Sequence, residues 1–398
     1  MQPLKGVQVL DCTKVLAGPL CTQYLSDLGA EIIKIEPTVI GDETRRWPPI
    51  RGDFGSVFLS VNRNKKSFAL DLKSPEGREV IGRLIRRSDV LIESYATGVS
   101  QRLGIDYASA AAEKPDIIHC SISGFGRTGP LSHGLGYDVV LQAFSGIMSM
   151  TGEPGGGPIR SPISPIDQAT GLHAMAGILA ALIERGKTGK GCSLEVSLFE
   201  TAVAYLGYNL QTYWEKGVEP TKCGSGHESL CPYQAFYASD APLLIGIAND
   251  NLWGRFCRAI GREELIVDPR FRSNPDRVAN FKETVALVQS IVATRPRDEW
   301  VSLMNEIGVP CAPINSLSEM LAHPHTKARG IILDYEHPDL GALKAVSYPV
   351  VFDGQLRTIK SPPPRHGQHT REILEGLGYE GDEIEKLRDA GVVSVAGS

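Results

Sequence analysis

The sequence predicts an α/β protein whose main domain is built on a doubly wound, mostly parallel sheet. In the first half of the chain, short apolar runs alternate with segments of helical periodicity. This order is typical of a parallel sheet that is covered by helices on both faces. Gly29 follows the first helical segment, at the place where a helix C-terminus is expected. With 398 residues, the chain is long enough for such a domain and a second, smaller one.

The predicted elements follow one another as strand and helix from the N-terminus. Strands are predicted for five short apolar runs, at residues 7–10, 31–35, 90–92, 117–122 and 194–196. Helices are predicted for six longer periodic segments, at residues 20–28, 76–87, 108–113, 137–149, 168–184 and 199–214. Two loops rich in glycine and proline, at residues 124–136 and 152–165, separate the later elements.

A change of composition indicates where the first domain ends. Residues 215–232 read EKGVEPTKCGSGHESLCP and interrupt the alternating pattern. The segment that follows, to about residue 322, has its own predicted strand at residues 243–247 and several amphipathic helices. We interpret this segment as a smaller second domain, and residues 361–366 as an extended linker to a final helical segment.

Composition excludes several classes of partner. The chain is 42% hydrophobic and 22% charged, with a formal net charge of −5, so it lacks the basic footprint of a nucleic-acid-binding protein. The longest apolar stretch, residues 175–183, is too short to cross a bilayer, and the N-terminus shows no signal-peptide pattern. The eight cysteines and nine histidines show no metal-ligand spacing. We therefore expect a soluble, cytoplasmic protein with no nucleic-acid, membrane or metal partner.

Asp167 has the most informative surroundings, because it lies between a Gly/Pro-rich loop and a long apolar helix. Aspartate is a preferred N-cap, worth about 1 kcal/mol, so a structural role explains its position. The unpaired N–H groups and the dipole of the same helix end would also keep a carboxylate ionised. An ionised carboxylate can attack an acyl group. The pattern alone leaves both interpretations open, a capping residue and a nucleophile.

Glycine loops and basic residues are further candidates for binding an anion. The loops at residues 155–157 and 224–226 could offer backbone N–H groups to an oxyanion or a phosphate. Neither loop has the dinucleotide fingerprint or the P-loop pattern, so a nicotinamide cofactor is not expected. Five basic residues form either a solvated face or a phosphate-binding cluster: Arg63, Lys65, Lys66, Lys73 and Arg102.

Motifs along the whole chain are similar, in order, to those of family III CoA transferases. In the N-terminal part they are LKGVQVLD at 4–11, LAGP at 16–19, LGAEIIKIE at 28–36, NRNKKS at 62–67 and LDLK at 70–73. In the middle of the chain they are SGFG at 123–126, GYD at 136–138 and DQATG at 167–171. Later motifs are PYQAF at 232–236, GVP at 308–310, ARG at 328–330 and HTREILEGLG at 369–378.

This resemblance implies a large doubly wound domain that is formed by both chain ends, with a smaller α+β domain inserted between them. It also implies an interlocked homodimer. The corresponding boundaries are residues 1–215 for the first part of the large CoA-binding domain, 216–325 for the small domain with its linkers, and 326–398 for the return to the large domain. Coenzyme A would enter as part of the substrates, which are an acyl-CoA and a carboxylic acid. No permanently bound cofactor or metal is expected.

The resemblance further assigns roles to individual residues. Asp167 matches the family's nucleophile, which attacks an acyl-CoA thioester and then carries an anhydride and an aspartyl-CoA thioester. Tyr137 and Asp138 match a Tyr–acid pair near the active site. The covering glycine loop matches Gly224, Ser225 and Gly226. Positions that would line the CoA site are Leu16, Leu72, Lys73, Tyr95, Val99, Arg102 and Leu103.

Two departures from the family's oxalate-handling members concern the substrate. Leu16 stands where the formyl-CoA enzymes carry a glutamine, and the covering loop is Gly-Ser-Gly-His rather than a run of four glycines. Both departures argue against formate and oxalate. The sequence around this loop is more similar to members that use succinyl-CoA or other dicarboxylic donors and acceptors.

Two alternative functions remain. A 2-methylacyl-CoA racemase shares most of the motifs, but the family's racemases carry histidine in Gly-His-Asp, where this chain has Tyr137. A phenol, with a pKa of about 10, is a poor base for an α-proton near neutral pH, and His133 is not at the matching position. A non-catalytic acyl-CoA-binding protein would lack the nucleophile, whereas Asp167 is present. The predicted function is therefore a CoA transferase.

Overall fold

A computed structural model describes residues 1–355 and 358–396 and divides the chain into two compact units. The first unit comprises residues 1–145, 161–210 and 325–398, and the second comprises residues 146–160 and 211–324. The sequence prediction had assigned residues 146–160 to the large domain. They belong to the second unit because their glycine-rich loop accepts hydrogen bonds from residues 222 and 224 of that unit.

The bounds of the elements are as follows. The strands are β1 (Gln8–Cys12), β2 (Glu31–Glu36), β3 (Ile50–Arg51), β4 (Phe54–Gly55), β5 (Lys65–Leu70), β6 (Val90–Glu93), β7 (Ile118–Ser123), β8 (Cys192–Ser197), β9 (Tyr233–Tyr237), β10 (Pro242–Gly246), β11 (Cys311–Pro313), β12 (Ile332–His337), β13 (Gly341–Val346) and β14 (Val393–Ser394). The helices of the N-terminal half are α1 (Ala17–Asp27), α2 (Ser56–Val61), α3 (Pro75–Arg87), α4 (Val99–Leu103), α5 (Tyr107–Glu113), α6 (Asp138–Phe144), α7 (Ile147–Met150), α8 (Pro165–Thr188) and α9 (Leu198–Lys216). Those of the C-terminal half are α10 (Asp250–Ala259), α11 (Glu264–Val267), α12 (Asn274–Ala279), α13 (Phe281–Val292), α14 (Arg297–Glu306), α15 (Leu317–Ala322), α16 (Pro324–Arg329), α17 (Thr370–Gly376) and α18 (Gly381–Asp389).

The first unit is built on a mostly parallel sheet, which confirms the predicted α/β class. Its strands lie in the order β14-β5-β2-β1-β6-β7-β8, and only β14 runs antiparallel to its neighbour. From β1 the chain adds β2 and β5 on one side and then returns to place β6 on the other side. The strand order therefore reverses between β1 and β6. In open α/β sheets, ligands bind beyond the carboxyl ends of the strands at such a point.

All five strands predicted for this unit are present within two residues of their predicted bounds. The helix predicted at residues 137–149 is wrong as one element, because the chain leaves the helical conformation at Gly146 (φ 91°) and forms α6 and α7 instead. Strand β5 was missed. Its sequence, KKSFAL, begins with two lysines and a serine, so only its last three residues form an apolar run.

Two members of the basic cluster proposed around β5, Lys65 and Arg63, do not lie on a solvated face. Lys65 is 2% exposed, and its Nζ lies 3.0 Å from Asp11 Oδ2 and 2.9 Å from the Pro19 carbonyl oxygen. Arg63 is 3% exposed and is paired with Asp27. A buried cation requires such partners. Both side chains are therefore engaged within the first unit and are not available to bind a phosphate.

The second unit has its own antiparallel sheet, in the order β11-β10-β9, in which β10 coincides with the predicted strand at residues 243–247 to within one residue. Helices α10 and α14 and the strands enclose a core that contains fully buried aromatic side chains: Phe236, Trp253, Phe256, Phe271 and Trp300.

Helix α8 is long and apolar enough, by length and composition, to cross a membrane. These two properties are weak evidence for a membrane-spanning segment, because the core helix of a soluble protein has them too. Within the first unit, α8 packs against α1 and against strands β7 and β8.

The contact between α8 and α1 depends on Gly171. A Cβ atom at this position would lie 2.5 Å from the carbonyl oxygen of Ala17, closer than van der Waals contact allows. We expect Gly171→Ala to lower the free energy of unfolding by about 1–3 kcal/mol, because the two helices must separate. A matched control is Gly177→Ala on the same helix, where the nearest atom would be 3.6 Å away. Urea unfolding of both variants measures the difference, and equal stabilities would contradict the proposed steric role of Gly171.

Candidate active site

A cavity of about 380 Å³ lies at the carboxyl ends of β1, β6 and β7, where the strand order reverses. Its volume is within the range of small-molecule sites. Five of the residues predicted from the sequence line it together: Leu16, Tyr95, Val99, Tyr137 and Asp167. Leu16 precedes α1, Tyr95 and Val99 follow β6, Tyr137 precedes α6, and Asp167 lies in the first turn of α8.

Asp138, and not Asp167, caps the start of α8. The Asp138 carboxylate is buried and accepts hydrogen bonds from the backbone N–H groups of Ile166 (2.8 Å) and Asp167 (3.2 Å). The side chain of Gln142 also donates to it. Among the residues that the structure describes, none donates a hydrogen bond to the Asp167 carboxylate. A capping role therefore does not explain the position of Asp167.

The electrostatic surroundings of Asp167 differ from those expected for a free helix N-terminus. Burial, reinforced by the negative charge of Asp138, raises the pKa of Asp167 to about 7. The N–H groups that would stabilise the ionised form are taken by Asp138. The expectation that the helix end keeps Asp167 ionised was wrong for this reason. Above neutral pH, Asp167 is an ionised carboxylate without hydrogen-bonded partners, which favours nucleophilic attack.

This raised pKa makes the charge of Asp167 unfavourable for stability. The pKa of this carboxyl group is higher in the folded chain than in the unfolded chain. Its ionisation therefore makes the folded protein less stable as the pH rises from about 4 to about 7. We expect Asp167→Asn to be more stable than the wild type by about 1–3 kcal/mol at pH 8, allowing for partial exposure of the side chain. The difference should shrink at pH 5. Melting temperatures of both proteins at the two pH values test this prediction, and a difference that is independent of pH would contradict it.

Two residues that lead into the site have strained backbones. Val15, which lines the cavity, has φ 69°, and Ser164, which precedes α8, has φ 48°. Left-handed conformations of residues other than glycine cost about 1–3 kcal/mol and are concentrated at functional sites. Neither could be predicted from the sequence, because valine and serine carry no signal for this conformation.

Arg127, which was missed in the sequence, holds the walls of the cavity together. Its guanidinium donates to Glu93 Oε1 and Ser121 Oγ, each at 2.8 Å, and to the carbonyl oxygens of Tyr95 (2.6 Å) and Ile122 (3.1 Å). These bonds join the ends of β6 and β7 to the loop that carries Tyr95. Its place just after β7, in a glycine-rich loop, was the available signal.

The other residues predicted for the CoA site do not line this cavity. Leu72 and Leu103 lie in the hydrophobic core, 5% and 8% exposed, where Tyr95 and Val99 pack against the same cluster. Lys73 and Arg102 are exposed on the surface of the first unit.

The predicted covering loop, Gly224, Ser225 and Gly226, belongs to the second unit. The N–H group of Gly224 donates to the carbonyl oxygen of Gly152, and that of Gly226 donates to the carbonyl oxygen of Cys223. Ser225 Oγ accepts a hydrogen bond from the N–H group of Ala235. Two of the three backbone donors are thus used within the unit, so in this conformation the N–H groups of Gly224 and Gly226 are not free to bind an oxyanion.

Comparisons with known proteins identify the family of this chain. The family model for CoA-transferase family III matches residues 4–370. The succinyl-CoA:glutarate CoA-transferase of Mus musculus is 40% identical over 99% of this chain and 91% of its own length. The succinate–glutarate CoA-transferase of Agrobacterium fabrum is 34% identical over 94% of this chain and 96% of its own length. The crystal structure of a CAIB/BAIF family protein from Brucella suis is 35% identical, with a TM-score of 0.83, and covers 94% of this chain and 99% of that one. The chain belongs to CoA-transferase family III.

Proposed function

We propose that this enzyme transfers coenzyme A from a dicarboxylic acyl-CoA donor to a carboxylic acid acceptor, with Asp167 as the nucleophile. The observation that carries the proposal is the Asp167 carboxylate itself. It faces a cavity, it accepts no hydrogen bond from any described residue, and its pKa is raised to about 7. Such a carboxylate is a stronger nucleophile than one stabilised by hydrogen bonds.

The chemistry proceeds in four displacements that need no redox partner. An Asp167 oxygen attacks the thioester carbonyl carbon of the donor, the C–S bond breaks, and CoA leaves as its thiolate. The product is a mixed anhydride between Asp167 and the donor acid. The thiolate attacks the aspartyl carbonyl of the anhydride, which gives an aspartyl-CoA thioester and releases the donor acid. The acceptor carboxylate then displaces the thiolate from this thioester. Attack of the thiolate on the acceptor carbonyl completes the new acyl-CoA and restores Asp167.

Asp138 and Tyr137 have supporting roles in this proposal. Asp138 fixes the first turn of α8 through its two backbone hydrogen bonds and so positions Asp167. Tyr137 is 48% exposed and lines the cavity, where its hydroxyl could donate a hydrogen bond to a substrate oxygen. We assign the first unit to CoA binding, through Leu16, Tyr95 and Val99. Lys73 and Arg102 would lie outside the cavity, along the path of the CoA tail.

The choice of dicarboxylates is supported by the named relatives. Two of them, which match nearly the whole chain, carry succinate and glutarate in their names. Leu16, at the position of the formyl-CoA enzymes' glutamine, places an apolar side chain on the cavity wall and disfavours oxalate.

We further propose an interlocked homodimer. Helices α6, α8 and α9 of the first unit expose large apolar side chains: Phe144 (55%), Leu172 (40%), Ile183 (63%) and Tyr205 (52%). Exposed apolar surface of this kind is typical of an interface with another chain. A second copy that covers these helices would also account for the apolar composition of α8.

An acceptor screen tests the proposed substrate class. The purified enzyme is supplied with succinyl-CoA and one acceptor at a time: glutarate, pentanoate, formate or oxalate. The acyl-CoA product is measured by liquid chromatography. We expect glutaryl-CoA to form and formyl-CoA and oxalyl-CoA to be absent. Turnover of pentanoate with no turnover of glutarate would refute the dicarboxylate assignment. Deuterium uptake at the α-carbon of a 2-methylacyl-CoA, without CoA transfer, would identify a racemase instead.

A further inference from the structure

The loop at residues 124–136, between β7 and α6, forms a closed structure beside the cavity. Its two ends meet at glycines: a Cβ on Gly136 would lie 2.5 Å from the Cα of Gly124. Only a residue without a side chain permits this approach at both positions. A surface loop with adjoining ends and internal packing is an Ω-loop, a form that is frequently functional.

This loop is anchored to the first unit on two sides. The ring of Phe125 lies 5.2 Å from that of Phe144 and 6.3 Å from that of Phe199, measured between ring centroids. On the other side, Thr97 Oγ1 donates a hydrogen bond of 2.5 Å to the carbonyl oxygen of Ser132. The residue that follows, His133, is therefore carried by a well-supported backbone, as a specificity residue needs to be.

Among the described residues that line the cavity, His133 is the one whose nitrogen-bearing side chain is not engaged by another residue. Three lining side chains contain nitrogen: Lys14, Arg127 and His133. Lys14 is paired with Glu43, with 3.0 Å between Nζ and Oε1. Arg127 is held by four hydrogen bonds to the cavity walls. Within residues 1–355 and 358–396, no hydrogen bond or ion pair engages the imidazole of His133, an exposed residue that is part of the cavity lining.

We infer that His133 binds the distal carboxylate of the dicarboxylic acyl group, the one that does not react with Asp167. This inference rests on the proposed function. An imidazole donates at least one N–H group in either protonation state, so it can pair with a carboxylate oxygen. A site built to hydrogen-bond a substrate group strongly rejects an analogue that lacks the group. His133 would thus select dicarboxylic acyl groups over monocarboxylic ones of equal length.

Single-turnover labelling of Asp167 with two donors of equal carbon number tests the inference. Succinyl-CoA and butyryl-CoA are mixed with the wild type and with His133→Ala, and the Asp167 adduct is quantified by mass spectrometry. We expect His133→Ala to slow labelling by succinyl-CoA by about 10- to 100-fold and labelling by butyryl-CoA by less than about 3-fold. His133→Gln, which keeps an N–H donor, should recover part of the loss. His325→Ala, an exposed histidine on α16, serves as the control.

Each outcome distinguishes the inference from the proposed function. An equal loss with both donors would overturn the inference, because His133 would then act on the shared CoA portion or on the fold. A normal rate in His133→Ala with succinyl-CoA would also overturn it, while the proposed function would stand. Failure of the wild type to label Asp167 with either donor would instead overturn the proposed function. If His133→Ala does not fold, His133→Gln and His133→Phe provide the same comparison, with and without an N–H hydrogen-bond donor at this position.

Discussion

Asp167→Ala is expected to lower kcat by at least about 10⁴-fold, because every step of the proposed chemistry passes through the Asp167 carboxylate. The affinity for CoA should change by no more than a few fold, since the other cavity-lining residues remain. The variant should also fold, because the backbone bonds at the start of α8 come from Asp138 and not from Asp167. Steady-state kinetics and titration calorimetry with CoA measure the two effects separately.

A matched control for this variant is Asp382→Ala, an exposed aspartate in the first turn of α18 that lies outside the cavity. It should retain full activity. Retention of more than about a tenth of wild-type kcat in Asp167→Ala would exclude a covalent mechanism through this residue.

Substitution of Asp138 is expected to have the second large effect. Its carboxylate positions the first turn of α8 and places a negative charge near Asp167. Asp138→Ala leaves the buried N–H group of Ile166 and the partly buried N–H group of Asp167 without their acceptor. Such a loss costs about 1–3 kcal/mol for a fully buried group and less for the partly buried N–H of Asp167, so we expect the free energy of unfolding to fall by about 2–4 kcal/mol. Misplacement of the first turn of α8 should also lower kcat by about 10²- to 10³-fold.

Asp138→Asn separates the two roles of this side chain. The amide oxygen can still accept from the backbone, but the negative charge that contributes to the raised pKa of Asp167 is lost. In the wild type, kcat/KM should rise with pH through about 7, as Asp167 becomes ionised. In Asp138→Asn this acid limb should move to lower pH, although burial still raises the pKa of Asp167. An acid limb at the same pH in both proteins would show that the charge of Asp138 does not act on Asp167.

The parallel sheet could be predicted because its strands are short apolar runs separated by helices, and β1, β2, β6, β7 and β8 follow that pattern. Strand β5 could not, since its two lysines suggest surface, whereas Lys65 is buried through ion pairing with Asp11. A charged side chain can be buried in a strand when an oppositely charged partner lies beside it. The local sequence does not identify that partner. That partner is 54 residues away in sequence.

The site was predictable in its composition but not in its geometry. Asp167, Tyr137 and Asp138 were identified from the family motifs, and the structure brings Asp167 and Tyr137 to one cavity. The capping bonds from Asp138 to α8 could not be anticipated, because they join segments 28 and 29 residues apart. Their consequence, a raised rather than a normal pKa at Asp167, follows from the folded arrangement alone. Arg127 and the closed loop at residues 124–136 likewise depend on contacts that no local pattern encodes.

The most direct test of the central claim is mass spectrometry of the purified enzyme after incubation with succinyl-CoA and trapping with hydroxylamine, followed by peptide mapping. The proposed chemistry predicts a modification confined to the peptide that contains Asp167, present in the wild type and absent from Asp167→Ala. A modification at another residue, or CoA transfer to glutarate without any trapped adduct at Asp167, would contradict the assignment of Asp167 as the nucleophile.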